Sequence, residues 1–383
     1  MPDLRPTMIR PWAAVLAVIV AASAAQAEDR VRIRLGTTVA REAQPKPPRV
    51  PRPPDLRGSI VETTPDTIRL ETPANPIKKE WIVPTEDVLE VFLDGEPEEL
   101  RSARGMVAAG DGDGALEQLA TAQAGDRAAA WEQASDAVRA ERLFVTAAAN
   151  AQVALHSAAG LEPALAGLRG FLKSHPRSHH AAFVQELIGD VLVRMDRPDE
   201  ALAAYAAIAT QAPSRRIRAE MLKGRLHLGR KRWQEARAAL EKAIAVESPA
   251  GDGSAVLEKR EARLLLARCL ARDGRAADGI TLARQLIAEA DAADGVGLAL
   301  MYVALAEAQQ AAGDRNKDAV ISCLAVDAVH NGVPEAHAEA LARLVELWEQ
   351  ENHPERAREA RQALEQTYPD SPWLERIREP AGS

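Results

Sequence analysis

The chain has 383 residues, of which 46% are hydrophobic and 27% charged, with a net charge of −8. This is enough apolar content for a sizeable core and argues against wholesale disorder, and an acidic balance argues against a general nucleic-acid binder. Alanine supplies 77 residues and aromatics only 3%, a helix-rich signature, and two cysteines exclude both a disulfide framework and a four-cysteine zinc site.

Residues 1–27 have the three parts of a secretory signal peptide. Arg5 and Arg10 form a short basic start, Trp12 to Ala25 is apolar and uncharged, and Ala25-Gln26-Ala27 places small residues at the cleavage positions. The run is shorter than the ~20 apolar residues of a spanning helix, which is what an uncleaved anchor would need. No cysteine lies near the cleavage site, which excludes a lipoprotein anchor. The expectation is a mature chain starting near Glu28, exported to the periplasm or cell envelope and not integral to the membrane after cleavage.

Residues 28–57 read as a basic first strand and a proline-rich linker. Val31, Ile33 and Leu35 alternate with Arg30, Arg32 and Arg34, the period of a half-buried strand. From Gln44 to Pro54 six prolines exclude helix and central strand. The segment carries eight basic and four acidic side chains. Residues 58–95 predict a small β-module: Ile68 and Leu70 share one face of a strand, and Ser59–Glu62, Lys79–Val83 and Val88–Leu93 are further strands separated by proline and acidic turns. Only one alanine lies between Gln44 and Ser102, against 66 from Ala103 onward, and that step marks the domain boundary.

Residues 96–378 predict paired amphipathic helices at an internal period, with 379–383 as a tail. In the clearest pair, Ala182–Pro213, the first helix carries Phe183, Leu187, Ile188, Val191 and Leu192. After the turn Met195–Glu200, the second carries Ala201, Tyr205 and Ile208 and is expected to stop at Pro213. Gly189 and Ala201 suggest close approach of the two backbones. Later pairs start near Ile217, Arg260, Ala299 and Ala338; earlier ones cover Val145–Pro176 and Leu100–Ala122, about seven in all.

This arrangement resembles the tetratricopeptide repeat, a 34-residue helix–turn–helix. Phe171–Ser178 and Thr367–Trp373 resemble the inter-repeat loops of exported bacterial repeat proteins of the BamD and Tol–Pal-coordinator type. Gly58–Leu100 resembles the small SH3-like or Sm-like β-module that precedes the repeats in some exported bacterial proteins. The fold class is therefore mainly α, a helical-hairpin solenoid preceded by a small β-module.

Catalytic signatures are absent. The sequence holds no Gly-Lys dipeptide, no His-Glu-x-x-His, no Gly-x-Ser-x-Gly and no Ser-x-x-Lys, and no enzyme or cofactor is expected. Gly110-Asp-Gly-Asp-Gly114 departs from a calcium loop at Ala115 and reads as the turn of the first pair. His175, His179 and His180 share one loop, but ligating histidines come with a third ligand, so a solvated loop and no metal are expected. Cys269 and Cys323 fall on apolar helix positions and read as buried small hydrophobes.

The resemblance implies a concave groove lined by the first helices, the usual binding face. Threading the copies turns Arg194, Arg218, Arg225, Arg268 and Arg272 toward it, with Glu307, Glu339, Glu346 and Glu349 along its C-terminal stretch. Arginine forks suit carboxylates, so the expected ligand is an acidic segment of a protein partner; the other reading makes these residues the solvated face every such helix needs. Chaperone-tail binding is not implied, because Glu186 and Asp190 stand where that activity uses basic or amide side chains. The functional expectation is a non-catalytic protein–protein scaffold. The alternative is a structural protein that self-associates or attaches to an anionic envelope polymer through its basic arm; the sequence does not settle the oligomeric state.

Overall fold

A computed structural model of the chain describes residues 28–34, 55–72, 79–121, 131, 133–249 and 252–378. The signal segment, the proline-rich stretch and the tail lie outside the described residues. The remainder forms two compact units. One comprises the chain through Ala219 together with Glu247–Val256; the other comprises Glu220–Val246 and the chain from Leu257 onward.

The first unit begins with five strands: β1 (Asp29–Ile33), β2 (Asp55–Thr63), β3 (Thr67–Thr72), β4 (Lys79–Pro84) and β5 (Val88–Phe92). They form one antiparallel sheet in the order β4-β3-β2-β1-β5. The segment set apart in the sequence as a first strand is thus an interior strand, with Val31 opposite both Leu56 and Val91. Alternation fixes which face is dry: Val31, Ile33, Ile68, Leu70 and Val83 are fully buried, with Leu56 and Val91 beside them. Gly58 permits the pairing of β2 with β3, since a Cβ there would overlap the Glu71 carbonyl. The arginines of β1 are engaged locally. Arg32 donates to Asp55 (3.3 Å) and Glu90 (3.0 Å), and Arg30 lies 3.8 Å over the Phe92 ring.

The sheet is tied to helical segments of its own unit. Arg177 pairs with Glu62, Arg215 donates to the Thr85 hydroxyl (3.3 Å), and the Ser254 hydroxyl donates to Asp87 (2.8 Å).

The helices are α1 (Glu98–Ala109), α2 (Gly112–Thr121), α3 (Asp136–Ser157), α4 (Leu161–Ser174), α5 (Ala181–Arg194), α6 (Pro198–Ala206), α7 (Pro213–Gly229), α8 (Trp233–Ala245), α9 (Gly253–Arg272), α10 (Ala276–Glu289), α11 (Gly295–Ala311), α12 (Asn316–Val329), α13 (Pro334–Gln350), α14 (Pro354–Thr367) and α15 (Pro372–Arg378). The first fourteen make seven hairpins, α1/α2 through α13/α14, among the described residues. Their turns share one device, a left-handed residue just past the first helix: Gly110, Ala158, Asp196, Lys231, Gly274, Gly313 and Asn352, each with φ between 57° and 85°. In α5/α6, α7/α8, α9/α10 and α13/α14 the next N–H returns five residues to a helix carbonyl, as Arg197 does to Leu192 (2.9 Å) and His353 to Trp348 (2.8 Å). This is the Schellman cap, which satisfies the last carbonyls and reverses the chain.

Three sequence expectations are corrected. Helix α6 ends at Ala206, not at Pro213; Pro213 opens α7, where its missing N–H costs nothing. Gly189 is small because the Tyr205 ring lies across it, not because of a second backbone. Pro372-Trp373 belongs to a short helix, α15, which packs on α13. Backbone approach does govern Gly279, where a Cβ would meet the Ala267 carbonyl at 2.8 Å.

First and second helices differ in burial. In α11 eleven residues are buried, including Leu298, Met301, Leu305 and Glu307, whereas α10 buries only Gly279, Ile280, Ala283 and Leu286. No helix among the described residues is long and apolar enough to cross a membrane.

Candidate protein-binding site

The first helices also hold most of the buried charge. In the second unit, a row of ionised side chains crosses α9, α11 and α13. Arg268 on α9 donates to Glu307 on α11 and to Glu339 on α13, both at 2.7 Å. Arg272, one turn further along α9, donates to the other oxygen of Glu307 at 2.6 Å. Arg343 on α13 donates to Glu339 (2.7 Å), approaches Glu307 (3.3 Å) and donates to Gln310 (2.9 Å). Three guanidiniums thus share two carboxylates.

Exposure orders the row. The Arg343 side chain is 4% exposed, Glu339 7% and Glu307 8%, but Arg268 is 19% and Arg272 24% exposed. Burial alone would raise the Glu307 carboxyl; Arg268, Arg343 and Arg272 overcome it and hold Glu307 well below the usual carboxylate range. Trp373 of α15 lies 6.0 Å from the Arg343 guanidinium and 5.2 Å from that of Arg376, which in turn holds Glu346 (3.0 Å).

The five arginines singled out in the sequence take different positions. Arg268 and Arg272 meet on Glu307, so they are internal counter-ions rather than a plain solvated face. Arg218 on α7 grips Glu186 of α5 through two donors, at 2.5 and 3.1 Å. Arg194 ends α5 and Arg225 lies mid-way along α7, both half-buried. Arg194 and Arg218 belong to the first unit; Arg225, Arg268 and Arg272 belong to the second. Of the acidic set, Glu307 and Glu339 join the row, Glu346 takes Arg376, and Glu349 takes Arg361 at 3.4 Å. Asp190 accepts from the buried Tyr205 hydroxyl at 2.6 Å. Arg343 was missed. Its signal was a charge on an otherwise apolar stripe, Ala336, Ala340, Leu344 and Leu347, of a helix buried on several sides.

The remaining motifs resolve simply. Gly110 caps α1, and Asp111 accepts from the Gly114 N–H (2.8 Å), so the Gly-Asp run is a helix–helix turn. Cys269 and Cys323 are buried and free; burial pushes the Cys269 thiol up to about 11 and the Cys323 thiol up to about 12, so neither is a ready nucleophile.

The sequence model of the tetratricopeptide repeat matches residues 186–255 and 221–294, the stretch from α5 to α10. No curated protein matches the chain. Among solved structures, the chain is similar to a tetratricopeptide repeat protein from Parabacteroides merdae, with 16% identity, 73% of this chain and 96% of that one covered, and a TM-score of 0.49. It is also similar to PilW, a type IV pilus biogenesis factor (18%, 61% and 98% covered, TM-score 0.42), and to pilF of Pseudomonas aeruginosa (17%, 62% and 98%, TM-score 0.39). On the hairpins, their caps and the matched repeats, the chain is a helical-hairpin solenoid that carries tetratricopeptide repeats over residues 186–294 and is preceded by a small antiparallel sheet.

Proposed function

We propose that this chain is a non-catalytic scaffold that binds an acidic segment of a protein partner along its first helices. The observation that supports this most is Arg272. It stands at the exposed end of the buried row and, among the described residues, holds Glu307 through Nε alone. The Nη edge of its fork remains for a carboxylate from outside, the geometry a guanidinium favours. Arg268 and Arg343 behind it hold Glu307, the carboxylate on which the fork is anchored.

The same row selects the variant that tests the reading. Reversing Arg268 would set a like charge against both Glu307 and Glu339, whereas Arg272→Glu meets Glu307 alone at the more exposed end of the row, so Arg272→Glu is the cleaner change. Crosslinking and affinity capture from cell-envelope fractions is expected to recover one protein stoichiometrically with the wild-type chain. Recovery should fall at least tenfold with Arg272→Glu at unchanged helix content. Equal recovery would move the site away from this row.

The proposal includes export, supported by the basic start, apolar run and small-residue cleavage site of residues 1–27. N-terminal sequencing of the fractionated protein should begin at Glu28. A second reading, self-association, is favoured by α12, where Ile321 (66% exposed), Leu324 and Val329 (70% exposed) face outward. If it holds, Ile321→Glu lowers the mass measured by light scattering; if the chain is monomeric with and without the change, that reading fails.

A further inference from the structure

His179 and His180 do not stand alone as a solvated loop: the fold brings a third donor to them, Glu141 of α3, from 38 residues upstream. The donor atoms of Glu141, His179 and His180 lie within 4.8 Å of one another. Glu141 is buried, on the same helix face as Val138, Phe144, Val145 and Ala148, where an acid is costly without partners. Its partners divide its two oxygens. Oε1 accepts from Arg104 of α1 at 3.2 Å, and Oε2 faces His180 Nε2 at 2.8 Å. Arg104 is itself held by Glu96 (3.1 Å), so the carboxylate is oriented from behind, as ligating carboxylates usually are. The Phe144 ring stacks on His180 at 3.5 Å and fixes the imidazole plane.

His179 is the unexplained member. Its Nε2 is enclosed, yet has no hydrogen-bond partner among the described residues. A buried polar atom without a partner is destabilising, and native proteins rarely keep one without a use. His175, the third histidine of the loop, is excluded: it bonds the Ser174 hydroxyl (2.8 Å) and lies against Phe171.

We propose that Glu141, His179 and His180 form a binding site for a divalent transition-metal ion of the zinc class, clamping α3 to the segment that enters α5. Two imidazoles and one carboxylate suit Zn²⁺, whereas Ca²⁺ and Mg²⁺ take oxygen ligands. Ligands at 2.0–2.2 Å around a tetrahedral ion stand about 3.3 Å apart. Closing the present spread of up to 4.8 Å therefore needs a shift of at most about 1.5 Å, which a loop histidine can make. A fourth position is left to water. The ion would join the second hairpin to the third, and so set the angle between two neighbouring repeats of the first unit.

The test uses the purified chain stripped with chelator and titrated with Zn²⁺ by calorimetry, with Co²⁺ as the optical probe. One Zn²⁺ per chain is expected, together with a rise in Tm and a visible Co²⁺ band of tetrahedral type. His179→Ala should weaken binding at least tenfold and abolish the rise in Tm, and His175→Ala should change neither. Among the described residues the His179 side chain makes no hydrogen bond, so His179→Ala is the milder change and decides the question even if Glu141→Gln fails to fold. Absence of stoichiometric binding at 1 mM Zn²⁺, roughly a −4 kcal/mol floor by the usual conversion, overturns the site. So does binding that His179→Ala leaves unaltered.

Discussion

First and second helices of the same hairpins solve different problems. In α10 and α14 a stripe of small and aliphatic residues suffices: Gly279, Ile280, Ala283 and Leu286 in one, Ala357, Ala360 and Leu364 in the other. In α9, α11 and α13 the stripe is interrupted by Arg268, Glu307, Glu339 and Arg343, which pair across hairpins: Arg268 with Glu307 and Glu339, and Arg343 with Glu307. Apolar packing is tolerant of sliding, whereas a fork on a carboxylate has one good geometry. The contrast teaches that second helices supply burial, and first helices supply register between repeats.

The strongest way to break this division is Arg343→Met. It leaves Glu307 and Glu339 under-compensated in a dry site, which typically costs about 3–5 kcal/mol, read by urea unfolding. Replacing the row with a matched apolar set should cost far less, since the penalty comes from the orphaned charges. Acid separates the two helix classes next. The folded Glu307 carboxyl is held below its ordinary value of 4.5, so its contribution is complete above that value and is lost as pH falls below it. Unfolding midpoints in urea should therefore drop between neutral pH and pH 3, and Glu307→Gln should flatten that slope.

Gly279→Ala tests the second-helix side. Its new methyl meets the Ala267 carbonyl at 2.8 Å, a backbone atom that cannot swing away, and the expected loss is about 1–3 kcal/mol. A smaller effect of opposite sign is expected at the turn of α7/α8. Lys231 has φ of 57°, so Lys231→Gly should raise stability by about 0.5–1 kcal/mol by relieving the left-handed strain. Least of all, Arg358→Ala on α14 should lie within about 0.5 kcal/mol of wild type, because Arg358 and its partner Glu355, 3.9 Å away, are both largely exposed.

How far the sequence carries can be judged residue by residue. Val31 with Ile33, and Ile68 with Leu70, were legible as the dry sides of two separate strands because strand side chains alternate. The hairpins were legible because apolar residues recur at helical spacing and Gly110, Gly274 and Gly313 punctuate them. The place of β1 inside the sheet was not, since pairing joins strands separated by a proline-rich stretch and leaves no local trace. Nor was the stop of α6, because proline marks the end of one helix and the start of the next equally well. Among the histidines, spacing grouped His175 with His179 and His180; the fold replaced His175 with Glu141.

The sequence by itself determined the helical class, the small β-module, the approximate number of hairpins and the apolar stripe of the clearest ones, because these follow from periodicity and composition along short stretches of chain. Only the tertiary structure decided which charges meet. Arg268 finds Glu307 and Glu339 at separations of 39 and 71 residues, and His180 finds Glu141 at 39. Such pairings are set by the stacking of one hairpin on the next, and a side chain's ionic partner is a property of that stacking, which no local pattern encodes.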